Sequence, residues 1–396
     1  MADKPAALLL APECPYPPAG GGHLRSAALT EYLARRYRLD AAVFLQPGGV
    51  DPRTTRLGEL THRVGVLELP VHARHTAAKA VRNVARLLWG VPPLTDRFAG
   101  FEGELARFLD GRDYELAVVE HFWCAGYVDV LGQFAKRTAL DLHNIESALH
   151  ASCAAAEPWP LSAAHRQFQR ACDRLERRWL PRYDTILVAS RQDAARARRT
   201  SPRTEALVYP NTIPWRPLPE RDSEDDAIVF SANMEYHPNV DAVRYFRRRI
   251  WPLLRERWPG LVWRLVGRNP EAVTRYVADD ERIQRTGAVD DAVEELARAK
   301  VAIVPLRAGS GTRVKILEAW AAGIPVVSTT LGAEGLDVAD GRDLVIADEP
   351  ERFADAVSAL LSSLESRRRI GSSGRALFER EYTWESGWKI LEGSGL

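Results

Sequence analysis

The sequence predicts an α/β protein made of two doubly wound parallel-sheet domains in tandem. Three observations lead there. Short apolar runs alternate with segments of helical spacing, a Pro- and charge-rich stretch interrupts the alternation near mid-chain, and the pattern then restarts. A length of 396 residues also exceeds what one compact core holds.

Ala6–Pro12 is a continuous apolar run, as expected of a strand covered on both faces. Pro15 to Gly22 is a loop of turn formers, and His23–Arg36 carries Leu24, Ala27, Ala28, Tyr32 and Leu33 at helical spacing. Leu39–Leu45 reads as the second strand, and Arg63–Leu69, Leu116–Glu120, Thr138–Leu142 and Thr185–Ala189 as further ones. The stretch IPWRPLPERDSEDD from Ile213 is the linker candidate. After it come strand Ala227–Ala232, helix Val240–Arg257, strand Leu261–Val266 and helix Glu271–Val277. Strand Ile283–Thr286, helix Asp291–Lys300 and strand Val301–Pro305 follow, and Trp384–Leu391 reads as a terminal helix. The expected division is 1–215, 216–380 and a helical tail over 381–396.

Composition narrows the class. The chain is 46% hydrophobic and 27% charged, the values of an ordinary globular protein. A net charge of +1 gives no whole-molecule case for nucleic-acid binding. The four cysteines lack metal-ligand spacing, so neither a disulfide framework nor a zinc site is expected. No apolar run approaches the ~20 residues of a membrane span, and a reduced, cytoplasmic location is the expectation.

The richest segment is GSGTRVKILEAWAAGIPVVSTT, Gly309 to Thr330. Gly309, Ser310, Gly311 and Thr312 are small enough to let a phosphate approach the backbone, and the helix that follows offers unpaired N–H groups. Arg313 and Lys315 add positive charge. Glu318 lies at i+3 from Lys315 and i+7 from Gly311, so these share a face of an otherwise apolar helix. Read blandly, that face is solvated and carries a weak ion pair. The apolar surroundings favour a cleft wall instead.

Several motifs stand in a characteristic order: PPAGGGHLR (17–25), DLHNIES (141–147), VYPNTIP (208–214), FSANMEYHPNVDAVRYF (230–246), RLVGRNP (264–270), RTGAVDD (285–291), the segment just described and LGAEGL (331–336). Together they resemble the family 4 glycosyltransferases. The resemblance implies a GT-B fold, with two Rossmann-like domains facing across a cleft and a C-terminal helix crossing back to the first domain. It implies a retaining, metal-independent, hexosyltransferase-type enzyme that moves a sugar from a nucleotide-diphosphate sugar to a hydroxyl acceptor of a polysaccharide, glycolipid or natural product.

In that family Glu318 matches the second Glu of a Glu-x7-Glu motif and accepts hydrogen bonds from ribose hydroxyls. The first Glu falls at Ser310, which cannot act as a carboxylate. A Gly-Arg-x4-Lys pattern of many relatives falls on Asn233 and Pro238, so Arg313 and Lys315 become the expected partners of the leaving diphosphate. The donor site implied comprises Ser310, Gly311, Thr312, Glu318, Gly267, Arg268 and, through main-chain groups near the base, Val289. His143 would lie near donor sugar and acceptor, and Gly20, Gly21 and Gly22 would form an acceptor or phosphate loop. No cofactor or metal is expected. Two rivals stand beside this reading: a sugar-nucleotide epimerase or pseudo-glycosyltransferase of the same fold, and a non-catalytic nucleotide-sugar-binding partner.

KAVRNVARLLWGVPPL (79–94) is basic on one helical face and apolar on the other. The expectation is a helix packed on the first sheet with its basic face solvated. A peripheral membrane contact is the less favoured alternative.

Overall fold

The computed structural model describes residues 4–18, 20–71, 76–220, 224–309 and 313–396. They form two compact units, Met1–Pro210 together with Trp388–Leu396, and Asn211–Gly387.

The first unit is built on β1 (Ala6–Ala11), β2 (Arg38–Leu45), β3 (Arg63–Glu68), β4 (Tyr114–Glu120), β5 (Ala135–Leu142), β6 (Thr185–Val188) and β7 (Glu205–Val208). All pair in parallel, in the order β3-β2-β1-β4-β5-β6-β7. Leu8, Leu10, Phe44, Val119, Leu140 and Ile186 enter one apolar core from this sheet. Strand β7 escapes a reading of periodicity because EALV is four residues long and opens on an exposed Glu205. Helix Gly21–Arg36 is buried without interruption from Arg25 to Leu33. One cover is the final segment: Trp388 Nε1 donates to the Ala28 carbonyl at 2.8 Å, and the Tyr32 hydroxyl donates to the Leu396 carbonyl at 2.5 Å.

Helix Thr76–Trp89 overturns the packing expected of it. Val81, Val84, Leu88 and Trp89 are exposed. Arg86 turns inward and grips Asp96 through a two-point fork at 3.0 and 2.8 Å. An amphipathic pattern distinguishes two faces of a helix without saying which faces the protein. Here the fork to Asp96 decides it.

The second unit holds β8 (Asp225–Ser231), β9 (Val262–Val266), β10 (Ile283–Gly287), β11 (Ala299–Val304), β12 (Val326–Ser328) and β13 (Val345–Ile346). These also run parallel, in the order β10-β9-β8-β11-β12-β13. The long helix expected over Val240–Arg257 is three pieces, His237–Tyr245, a wider π turn at Phe246–Ile250, and Trp251–Arg257. Pro252 has no N–H to continue the regular ladder, so the turn before it opens. β11 begins at Ala299, ahead of its apolar run, because the Lys300 ammonium is accommodated by an ion pair with Asp226.

Helix Val314–Ala321 is pinned from behind. Trp320 is wholly buried and donates its indole N–H to the Asp343 carbonyl at 3.1 Å. Helix Leu364–Glu381 passes so close that a Cβ on Gly374 would lie 2.3 Å from Trp320 Cδ1. Gly374→Val should therefore lower stability by about 1–3 kcal/mol, the usual cost of overpacking. A denaturant melt measures it, and an unchanged midpoint would contradict the close approach.

Candidate functional site

In each sheet the chain moves outward in opposite directions from two central strands, β1 and β4 in the first unit, β8 and β11 in the second. Open α/β sheets bind ligands beyond the carboxyl ends of such strands.

In the first unit the carboxyl ends of β1 and β5 carry the expected Gly20, Gly21, Gly22 and His143. After β1, Gly20 caps helix Gly21–Arg36 at φ 99°, a conformation that favours glycine, and Gly21 and Gly22 form the first turn. After β4 comes His121 and after β5 His143. A Cβ on Gly22 would sit 3.7 Å from His143 Nδ1, so the glycine turn and the histidine are in contact. Arg25, one turn further along the helix, is wholly buried. Its Nε and Nη2 grip Asp141 at 2.5–3.0 Å, and its Nη1 donates to the Tyr209 carbonyl at 2.6 Å. Asp141 Oδ2 lies 3.4 Å from His143 Nε2.

His121 closes the other side of His143, with ring centroids 3.6 Å apart, and stacks on Trp123 at 4.4 Å. Its φ of 65° is rare outside glycine and costs on the order of 1–3 kcal/mol. Main-chain bonds from His121 N to Asp141 O (2.9 Å) and from Cys124 N to His121 O (3.1 Å) hold it there.

Charge is finely divided in this cluster. Burial alone would raise the Asp141 carboxyl, but the Arg25 charge and the His143 hydrogen bond outweigh it and hold the acid well below its usual range. Burial lowers His143 in spite of Asp141, and burial with the neighbouring His143 lowers His121 further. Both imidazoles are thus neutral at pH 7. Glu120 is pushed up to about 8, first by burial and then by Asp141, so it carries a proton. Candidate ligand atoms of Glu120, Asp141 and His143 lie within 4.8 Å of one another. They suit a cation poorly, since the Arg25 fork already occupies Asp141.

In the second unit, Arg313 is the N-cap of helix Val314–Ala321, and its guanidinium folds back over Gly309, whose Cβ would stand 3.1 Å from it. Lys315 is half-buried, donates to Asn239 Oδ1 at 2.7 Å and stands 4.4 Å above the Phe230 ring. Glu318, one turn on, accepts from the Ser231 hydroxyl at 3.2 Å. Burial and the nearby Arg313 pull Lys315 down to about 7, although Glu318 opposes them; burial pushes Glu318 up to about 7. Each group is poised to take its charged form when a ligand of opposite need arrives.

Asn239 explains how a lysine from this helix serves a different one. Its amide donates to the Asn233 carbonyl at 2.8 Å and its oxygen receives Lys315. The cation therefore stands at the start of helix His237–Tyr245, on the side chain of Asn239. Gly267, φ 132°, lets the end of β9 approach β8 so closely that a Cβ would meet the Ala232 carbonyl at 2.0 Å. Arg268 is exposed and Val289 half-buried in the loop after β10. Ser310, Gly311 and Thr312 lie outside the described residues.

Arg25, Asp141, Asn239 and Ser231 were not singled out from sequence. Arg25 and Asp141 left a signal as charges inside the quoted PPAGGGHLR and DLHNIES motifs, and Ser231 and Asn239 stand inside FSANMEYHPNVDAVRYF.

Two tandem Rossmann-like domains of this strand order define the GT-B class. Residues 225–363 match the family described as "Glycosyl transferases group 1". Over 126 residues the chain is 36% identical to a phosphatidyl-myo-inositol mannosyltransferase of Mycobacterium leprae, covering 30% of this chain and 33% of that protein. It is 30% identical over 150 residues to a GDP-mannose-dependent alpha-(1-6)-phosphatidylinositol monomannoside mannosyltransferase of Mycobacterium tuberculosis, covering 34% and 39%. The chain thus spans about a third of the length of the curated relatives it matches. Among solved structures, sucrose-phosphate synthase of Thermosynechococcus elongatus superposes with a TM-score of 0.73 at 16% identity, over 99% of this chain and 98% of the other. Anabaena Alr3699/HepE in complex with UDP-glucose gives 0.65 at 14% identity, over 98% and 100%. Residues 225–363 are thus similar to the glycosyl transferases group 1 domain, and the fold is similar to those of the solved structures.

Proposed function

We propose that the chain is a retaining glycosyltransferase that moves a hexose from a nucleoside diphosphate to a hydroxyl acceptor. The observation that carries this reading is the pair Lys315 and Glu318, half-buried one turn apart on helix Val314–Ala321 and anchored by Asn239 and Ser231. A carboxylate with two acceptor oxygens suits the ribose diol, and a compact ammonium suits a phosphate. Arg313 and the main-chain amides of Ser310, Gly311 and Thr312 would complete the diphosphate site. With Lys315 they supply the charge compensation that a metal gives elsewhere, so the transfer is proposed to need none. Gly267, Arg268 and Val289 are assigned to the nucleotide. In the first unit, His143 and the Gly20–Gly22 turn are assigned to the sugar and acceptor side.

No side chain is assigned as a covalent nucleophile. The bond from the anomeric carbon to phosphate oxygen breaks as the bond to the acceptor oxygen forms on the same face. The acceptor proton passes to the departing phosphate. One relative is described as GDP-mannose-dependent and one similar structure holds UDP-glucose, so both nucleotides belong in the test. A thermal-shift panel of UDP-, GDP- and dTDP-sugars should give stabilisation by one base class. Slow donor hydrolysis should persist in EDTA, yielding free sugar and nucleoside diphosphate. No stabilisation by any of them would overturn the reading, and conversion of the donor to another nucleotide sugar would indicate an epimerase.

The pH dependence has a definite sign. Bound diphosphate favours the Lys315 ammonium, so affinity is lost as pH rises through about 7. Ribose favours the Glu318 carboxylate, so affinity is also lost as pH falls through about 7. Titration calorimetry with the stabilising nucleotide sugar should give an optimum near neutrality. Lys315→Met should remove the alkaline limb, and Glu318→Gln the acid one. A flat profile in the unmodified protein would contradict both assignments.

A further inference from the structure

Helix Thr76–Trp89 turns its apolar side outward. Val81, Val84 and Leu88 stand at i, i+3 and i+7, on one face, with Trp89 beside them. Leu88 and Trp89 are each 79% exposed, whereas the Arg86 side chain is 13% exposed and forked to Asp96. Water gives this arrangement no driving force, since the apolar stripe gains nothing from exposure. A stripe of this kind suits a partner of matching chemistry.

The neighbouring helix says what kind of surface that is. Helix Thr76–Trp89 packs against helix Leu161–Trp179, and Arg174 Nη2 approaches the Gly90 carbonyl at 3.5 Å, directly after Trp89. One and two turns further along stand Arg170 and Arg166. All three arginines are exposed. Arg177 on the same helix pairs with Asp173, but none of these three is ion-paired among the described residues. An apolar stripe ending in Trp is thus flanked by a stripe of unneutralised guanidinium groups.

We propose that this face of the first unit docks on an anionic lipid bilayer, with Leu88 and Trp89 entering the interface and Arg166, Arg170 and Arg174 meeting lipid phosphates. Leucine and tryptophan partition to the headgroup boundary, and arginines beside them add attraction that depends on negative lipid. A second copy of the chain fits less well. An isologous pairing sets a patch against itself and would bring the arginine stripes together. Among the described residues no helix is long and apolar enough to cross a membrane, so the contact is at the surface.

Co-sedimentation of the full chain with vesicles tests this independently of any transfer activity. Binding is expected to vesicles of phosphatidylcholine mixed with an equal part of phosphatidylglycerol, and to weaken with salt. Phosphatidylcholine alone should bind at least about tenfold less. Leu88→Ser with Trp89→Ser should weaken binding about tenfold or more. Arg170→Ser and Arg174→Ser should each weaken it about fivefold. These positions are exposed, so an unchanged thermal melt and an unchanged shift with nucleotide confirm folding and keep this test separate from the proposed activity. Equal binding to both vesicle types, or none to either, would overturn the proposal, as would binding indifferent to the Leu88 and Trp89 changes. A dimer in sedimentation equilibrium that the Leu88/Trp89 variant disperses would assign the face to a second copy instead.

Discussion

Arg25→Met is expected to destabilise the first unit by about 3–5 kcal/mol, because it leaves a buried carboxylate without its counter-charge. Asp141 has no exposed surface, and its ionised form rests on the Arg25 fork and the His143 hydrogen bond. With Arg25 gone, burial dominates and the Asp141 pKa rises. The sign with pH follows. The native pair contributes stability above the unfolded carboxyl pKa, and that contribution is lost as pH falls. The deficit of the variant should accordingly shrink in acid, where the carboxyl is neutral in both states. Denaturant melts at several pH values would show it. Arg25→Met combined with Asp141→Leu should recover most of the loss, since an apolar pair of similar volume replaces a buried ion pair at little cost. A double variant as unstable as the single one would show that Arg25 acts through its Tyr209 contacts, at 2.6 Å to the carbonyl and 4.6 Å above the ring.

Glu318→Ala is expected to weaken binding of the nucleoside diphosphate about ten- to a hundredfold, the equivalent of hydrogen bonds to a charged group. The Ser231 hydroxyl would lose its acceptor as well, and Lys315 would lose a carboxylate that supports its charge. Glu318→Gln keeps the volume and one acceptor oxygen, so it should fall between Ala and the unmodified chain. Calorimetry with the diphosphate that stabilises the protein separates these cases. Unaltered affinity in Glu318→Ala would remove the ribose assignment while leaving the fold of helix Val314–Ala321 unaffected, since Trp320 and the neighbouring Gly374 anchor it from the opposite side.

The parallel sheets were legible because their strands are continuous apolar runs, and such runs survive any choice of partner. Strand β7 and the two-residue β13 were not, since edge strands that short carry almost no periodicity. Lys315 and Glu318 share a helix face by spacing alone, a local property that sequence conveys well. Asn239 and Ser231 meet them from other elements, 76 and 87 residues away, and nothing local announces either. Arg25 is the sharper case. A lone arginine in a helix reads as solvated until Asp141, 116 residues on, is known to lie beneath it. Helix Thr76–Trp89 shows the converse limit. The spacing of Val81, Val84 and Leu88 tells an apolar face from a basic one, but whether that face meets the protein or the outside depends on partners far along the chain.

The segment Trp388–Leu396 has a bearing on how the chain acquires its structure during synthesis. Trp388 lies under Arg35 at 3.9 Å and against the Ala28 carbonyl, and Leu391 is wholly buried, so these residues complete the first unit. Residues 211–387 of the second unit leave the ribosome before them. The nascent first unit therefore waits, with the outer side of helix Gly21–Arg36 uncovered, until its neighbour has been fully translated. The last packing of the first unit thus follows translation of the second.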